Sequence, residues 1–167
     1  FKDSEKAEFR RIMRGLEHFM GVRVVTYCIM SNHFHILLEV PDEEDVVAIE
    51  EVSDEELVAL VRPLYGDEVA EELGLELRNC DDYGFDEKKK LIREGYLKRR
   101  GRLDLFMKDL KQRFTQWYNR RMGRRGTLWE DRFKSVIVDD CEEAMLAMAA
   151  YIDLNPVRAG MVGDPAD

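Results

Sequence analysis

The chain reads helix, strand, strand, acidic helical stretch, helix, strand, helix, and that order predicts an α+β fold. Three observations carry the prediction. Phe9, Ile12, Met13, Leu16, Phe19 and Met20 recur at helical spacing. Val22–Met30 and His33–Val40 are rich in β-branched, aromatic and aliphatic residues and are separated by only Ser31 and Asn32. A second helical pattern, Arg102–Met122, precedes another β-like run. A strand placed ahead of Phe1 would complete the split βαβ pattern of a ferredoxin-like, RRM-like antiparallel sheet with helices on one face.

Taken in order, Ser4–Met20 is a helix that Gly21 stops. Val22–Met30 is a strand, Ser31-Asn32 a tight turn, and His33–Val40 the return strand, ended by Pro41. From Asp42 to about Tyr83 the composition turns acidic, with Leu57, Leu60, Val61 and Leu64 at helical spacing, as in short surface helices. Residues 86–100 form a charged connector or helix. In Arg102–Met122, Leu103, Phe106, Met107, Leu110, Phe114, Trp117 and Tyr118 share a face. Gly123–Gly126 is a basic turn, and Thr127–Val138 contains a last strand ending Ser-Val-Ile-Val. Asp139-Asp140 stands at a helix N-terminus, where carboxylates favour the dipole. Cys141–Leu154 is a strong helix former, ended by Pro156.

A length of 167 residues suits one domain, here 1–163, carrying an acidic, mostly helical insertion at about 42–100. No apolar run approaches the roughly 20 residues that span a bilayer. Three cysteines without a CxxC spacing suit reduced thiols in a cytoplasmic protein. The net charge of −9 counts against nucleic acid, but its distribution does not. Residues 41–87 hold 18 acidic and 2 basic side chains, whereas 88–134 hold 17 basic and 5 acidic. A block this basic, with aromatics interleaved, is the footprint of a phosphate-binding face. Its members include Arg113, Arg120, Arg121, Arg124, Arg125, Arg132 and Lys134, with Trp117 and Trp129 placed to stack on bases or to pack in a core.

The chemistry centres on His33 and His35. Residues i and i+2 of a strand face the same way, so the pair presents two imidazoles together while Phe34 points to the core. Imidazole is a common ligand for divalent metals, although half-buried strand histidines are the commoner outcome of such spacing. His18 is the remaining histidine. Tyr151 and Asn155, at i and i+4, project from one helix face. A phenol beside a divalent metal is a possible nucleophile once the metal polarises a phosphoryl oxygen. Tyr118 and Tyr27 compete for that role less well, the first as a packing or stacking ring and the second as core. Arg158 follows the helix end, to cap it or to reach phosphate.

Met30-Ser31-Asn32-His33-Phe34-His35-Ile36-Leu37-Leu38 resembles the His-hydrophobe-His signature of the single-tyrosine transposase family. Tyr151-Ile152-Asp153-Leu154-Asn155-Pro156-Val157-Arg158-Ala159-Gly160-Met161-Val162 is similar to the C-terminal signature of its REP-associated branch. So are Gly126–Ser135 and Leu110–Asn119. The resemblance covers about 1–40 and 102–163. It implies that His33, His35 and Asn155 bind Mg²⁺ or Mn²⁺. It implies that Tyr151 attacks single-stranded DNA to leave a 5′-phosphotyrosine and a free 3′-OH. The expected partner is single-stranded DNA with hairpin or palindromic elements, bound by a monomer or homodimer in the bacterial cytoplasm with no membrane. The branch places a strand before its first helix, and Phe1 stands at or after it. The acidic stretch is longer than the link related chains carry, and it is expected to face away from DNA. Two rivals remain: a non-catalytic binder of structured single-stranded DNA or RNA, and a hydrolase that uses water instead of tyrosine.

Overall fold

The structure is a computed structural model that describes residues 1–42, 46, 51–160 and 163. Among these are seven helices and one two-stranded antiparallel sheet, so the fold is mixed helix and sheet. In order they are α1 (Asp3–Met20), β1 (Arg23–Ile29), β2 (Phe34–Glu39), α2 (Asp54–Tyr65), α3 (Asp67–Tyr83), α4 (Asp86–Leu97), α5 (Leu103–Met122), α6 (Glu142–Asp153) and α7 (Asn155–Arg158). Parts of the acidic stretch (43–45 and 47–50), and Met161 and Val162 of the C-terminal motif, lie outside the described residues. No helix among the described residues is long and apolar enough to cross a membrane.

The chain divides into two units. The first holds Phe1–Arg11, Arg23–Glu39 and Lys111–Asp167; the second holds Ile12–Val22 and Val40–Leu110. In the second unit the acidic stretch builds a helical core of its own. Ser53 caps α2 in a reciprocal box with Glu56, and Leu57 and Val61 are buried from it. Ala70, Leu73, Leu77 and Cys80 are buried from α3, which packs against both α2 and α4. The same unit takes up the apolar second half of α1, where the Phe19 ring meets Tyr65 at 5.7 Å and Tyr96 at 6.4 Å.

Cations of α4 are spent inside this unit. Lys88 pairs with Glu76, Lys89 with Asp54 and Asp81, and Arg93 with Asp54. Burial works against the Asp54 carboxylate, but hydrogen bonds from Lys89 and Arg93 outweigh it and hold the carboxyl below its usual range. Arg99 pairs with Asp109 and Arg102 with Asp104. The basic block at 88–134 is therefore two things: a helix neutralised by acidic neighbours, and a later stretch in the first unit.

In the first unit the hairpin sets the geometry. Its register pairs Arg23 with Glu39, Cys28 with His35 and Ile29 with Phe34, with an irregularity between Val24 and Thr26. Across that bulge the alternation of faces changes. The Ser31-Asn32 turn closes with the Met30 amide donating to the His33 carbonyl at 2.9 Å, without a positive φ. One face carries Cys28, Met30 and Leu37, which pack with Ile152 of α6. The other carries Phe34, 4.8 Å from Phe9 of α1 and 5.6 Å from Trp129. Phe9 and Phe114 of α5 are 5.3 Å apart on that side.

Three expectations are corrected. The helices of the first unit lie on both faces of the sheet, not one: Phe34 packs on Phe9 of α1, which in turn meets Phe114 of α5, while Leu37 and Cys28 receive α6. Thr127–Val138 holds no strand, because β-branched residues form one only with a ladder partner and none is present among the described residues. Val136 and Ile137 stay 82% and 98% exposed, and Val138 alone of the three packs against the Ile152 cluster. Pro156 does not end the helical run; it opens the short α7.

Gly21 closes α1 at φ +66°, and a Cβ there would stand 2.9 Å from the Arg100 guanidinium, which donates to the Phe19 carbonyl. Gly21→Ala is expected to destabilise the protein by about 1–2 kcal/mol, seen as a lower urea midpoint; an unchanged midpoint would count against this account of the α1 terminus.

Candidate active site

His35 lies on the Leu37 face of β2, opposite Cys28. His33 stands just before the strand, and its ring centroid is 5.1 Å from that of His35, nearly perpendicular to it. The expected side-by-side pair is present. His33 Nδ1 lies 2.8 Å from the Asn32 side-chain oxygen. An oxygen acceptor there favours the tautomer with hydrogen on Nδ1, leaving the Nε2 lone pair for ligation.

α6 brings the third member. Its Glu142 and Glu143 occupy the first turn, where the helix dipole favours them. Asp139 accepts from the Cys141 amide at 3.0 Å just ahead of it. Ile152 is buried among Cys28, Met30 and Leu37, which fixes the rotation of the helix. Thr26 adds a directional bond, its hydroxyl donating to Asp153 at 2.6 Å. With Ile152 and Asp153 turned to the sheet, Tyr151 points along it, 46% exposed, with its ring 6.2 Å from that of His35. A residue 116 positions further along the chain thus meets the histidine.

Asn155 follows one turn later. Its amide nitrogen donates to the Tyr151 carbonyl at 2.8 Å, which turns the side-chain oxygen away from the helix. Arg158 lies over the Tyr151 ring at 5.7 Å. Two neighbouring imidazoles are a donor pair of the kind divalent cations take. Among the described residues no three His, Cys, Asp or Glu side chains form a metal cage; Asn155 is an amide and stands outside that set. His18 belongs to the second unit, exposed at the last turn of α1.

The other predicted residues lie in the second half of α5 and the segment after it. Residues 111–134 carry eight basic and two acidic side chains. Arg121 covers the Trp117 ring at 5.4 Å and Arg124 the Tyr118 ring at 5.8 Å. The Gly-Arg-Arg-Gly turn is tied back to α5 by Asn119, whose amide donates to the Gly126 carbonyl at 2.7 Å. Arg120, Arg125, Arg132 and Lys134 are exposed, and Arg113 is half-buried. Trp129 is placed differently. Its indole N–H reaches the Lys111 carbonyl at 3.1 Å and the Thr115 hydroxyl at 2.9 Å, and its ring packs against Phe1, Phe34 and Phe114. These bonds make it a wall of the aromatic core.

Sequence reasoning missed Asn32, Thr26 and Asp153. Asn32 adjoins a proposed ligand, which is a usable signal. The Thr26–Asp153 bond spans 127 positions and has no local signature.

No protein-family model matches the sequence, and no curated protein or solved structure matches it.

Burial, and then the charge of His33, hold the His35 imidazole below its ordinary pKa of 6.5. As pH falls the unfolded chain takes up this proton first, so His35 lowers stability on acidification below about 6.5 and contributes nothing above it. Imidazole NMR titration is expected to show His35 protonating at lower pH than a denatured-state reference; equal or higher values would overturn the packing described for it.

Proposed function

We propose that this chain is a metal-dependent, single-tyrosine DNA-nicking and strand-joining enzyme of the transposase type. Its substrate would be single-stranded DNA with hairpin or palindromic elements. The reading includes a ferredoxin-like catalytic fold of the REP-associated single-tyrosine transposase kind. The observation that carries it is the meeting of Tyr151 with His35 at 6.2 Å, across two elements that share nothing in sequence.

In this reading His33 and His35, with the Asn155 oxygen, hold Mg²⁺ or Mn²⁺, and the cation's part is to polarise a phosphoryl oxygen. Asn32 holds His33 in its ligating tautomer. Tyr151 forms a bond from its phenolic oxygen to phosphorus while the bond to the 3′-oxygen breaks. The phenol proton goes to solvent, and the departing oxygen takes one up as a 3′-OH. Joining is the reverse, with a 3′-OH attacking the 5′-phosphotyrosine. Arg120, Arg121, Arg124, Arg125, Arg132 and Lys134 bind the backbone. Trp117 and Tyr118, each already under a guanidinium, are the platforms for unpaired bases.

Labelled single-stranded hairpin DNA with Mn²⁺ is expected to give a covalent protein–DNA adduct that Tyr151→Phe abolishes. Cleavage that survives Tyr151→Phe with a free 5′-phosphate would replace this reading with a water-using hydrolase. Tight binding without an adduct in any metal would replace it with a binding module. Asn32→Ala is expected to weaken Mn²⁺ binding about 10- to 100-fold, measured by calorimetry. Affinity for the same DNA should fall with salt, with a log–log slope near −0.7 per phosphate contacted, and Arg121→Ala with Arg124→Ala should flatten it.

A further inference from the structure

Arg158 is set apart from the other arginines by its position. The chain passes from α6 to α7 through Leu154, which keeps right-handed helical backbone angles, φ −81° and ψ −10°. Tyr151, Asn155 and Arg158 therefore fall at i, i+4 and i+7, on one stripe of a nearly continuous helical surface. The Arg158 guanidinium lies 5.7 Å from the centre of the Tyr151 ring. It is exposed, and among the described residues no carboxylate pairs with it. The nearest acid in sequence, Asp153, instead accepts from Thr26. A long, exposed guanidinium side chain held over the phenol ring is within reach of a phosphate bonded to the phenol oxygen. A guanidinium also presents paired N–H donors that match two phosphate oxygens at once, which an ammonium does not.

We propose that Arg158 is a catalytic residue of the phosphoryl transfer, gripping the non-bridging oxygens of the scissile phosphate rather than the backbone at large. The inference rests on the transposase-like reading above. As the Tyr151 oxygen bonds to phosphorus and the 3′-oxygen leaves, negative charge gathers on the non-bridging oxygens. Arg158 donates to that charge, and its hold is stronger in the transition state than in the ground state.

The test measures single-turnover adduct formation on two substrates, one with an ordinary scissile phosphodiester and one with an uncharged methylphosphonate there. Arg158→Ala is expected to slow the ordinary substrate at least about 100-fold, with DNA affinity changed less than about threefold. On the methylphosphonate the two proteins are expected to react at similar rates, because the charge that Arg158 answers is gone. Arg158→Lys is expected to fall between and serves as a second variant with the charge retained. An Arg158→Ala rate equal to wild type on the diester overturns the assignment. So does a rate loss matched by an equal loss of DNA affinity, or one that persists in full on the methylphosphonate. Wild-type protein that forms no adduct on the diester overturns the underlying reading itself, a result distinct from these.

Discussion

The site depends on how Ile152 seats in the sheet. Cys28, Met30 and Leu37 form an apolar patch on one face of a two-stranded hairpin, and Ile152 is the buried residue of α6 that fills it. A helix with one deeply buried side chain has little rotational freedom left. The Thr26–Asp153 bond removes more of it by fixing the adjacent position. Tyr151 is then turned toward His35 as a consequence of helix geometry. Loss of the Ile152 contact would free the helix and separate the tyrosine from the histidines, whatever the chemistry of either.

The hairpin itself works because its two faces are made unlike. Phe34 belongs to a cluster of aromatic rings with Phe1, Phe9, Phe114 and Trp129. His35, one residue on, belongs to the opposite face. Thr26 stands opposite Leu37 and two residues before Cys28, so ordinary alternation puts it on the Leu37 face, where Asp153 can reach it. The same sheet is thus anchored from behind by aromatic packing and leaves its other face for α6 and the two imidazoles. A two-stranded ribbon is weak on its own, and packing on both faces compensates for that.

Much of this was legible in the residues. The period-two spacing of His33 and His35 identifies their common direction, and the i, i+4 spacing of Tyr151 and Asn155 does the same for the helix. What spacing cannot supply is the face of the sheet that receives a helix, since an apolar stripe looks the same whichever side it covers. Helices on one face was the natural reading, and α6 lies on the other. The Ser-Val-Ile-Val run was legible as β-like but not as paired, because propensity is local and a ladder is not. Charge was legible in sum and misleading in place. Lys88, Lys89 and Arg93 of α4 belong to the second unit's ion pairs with Asp54, Glu76 and Asp81. The basic residues of the first unit lie in the second half of α5 and the segment after it. Trp117 and Trp129 were both open to stacking or packing, and for Trp129 the two indole hydrogen bonds decide for packing.

The central claim is that Tyr151 and the histidine pair form one metal-dependent site. Paramagnetic relaxation by Mn²⁺ tests it without any DNA. With 3-fluorotyrosine at position 151, stoichiometric Mn²⁺ should broaden the fluorine resonance strongly, because the tyrosine and His35 rings are 6.2 Å apart. The same titration of the His33→Ala, His35→Ala protein should leave the line sharp. Mn²⁺ that binds the histidines while the Tyr151 resonance stays sharp would contradict the account.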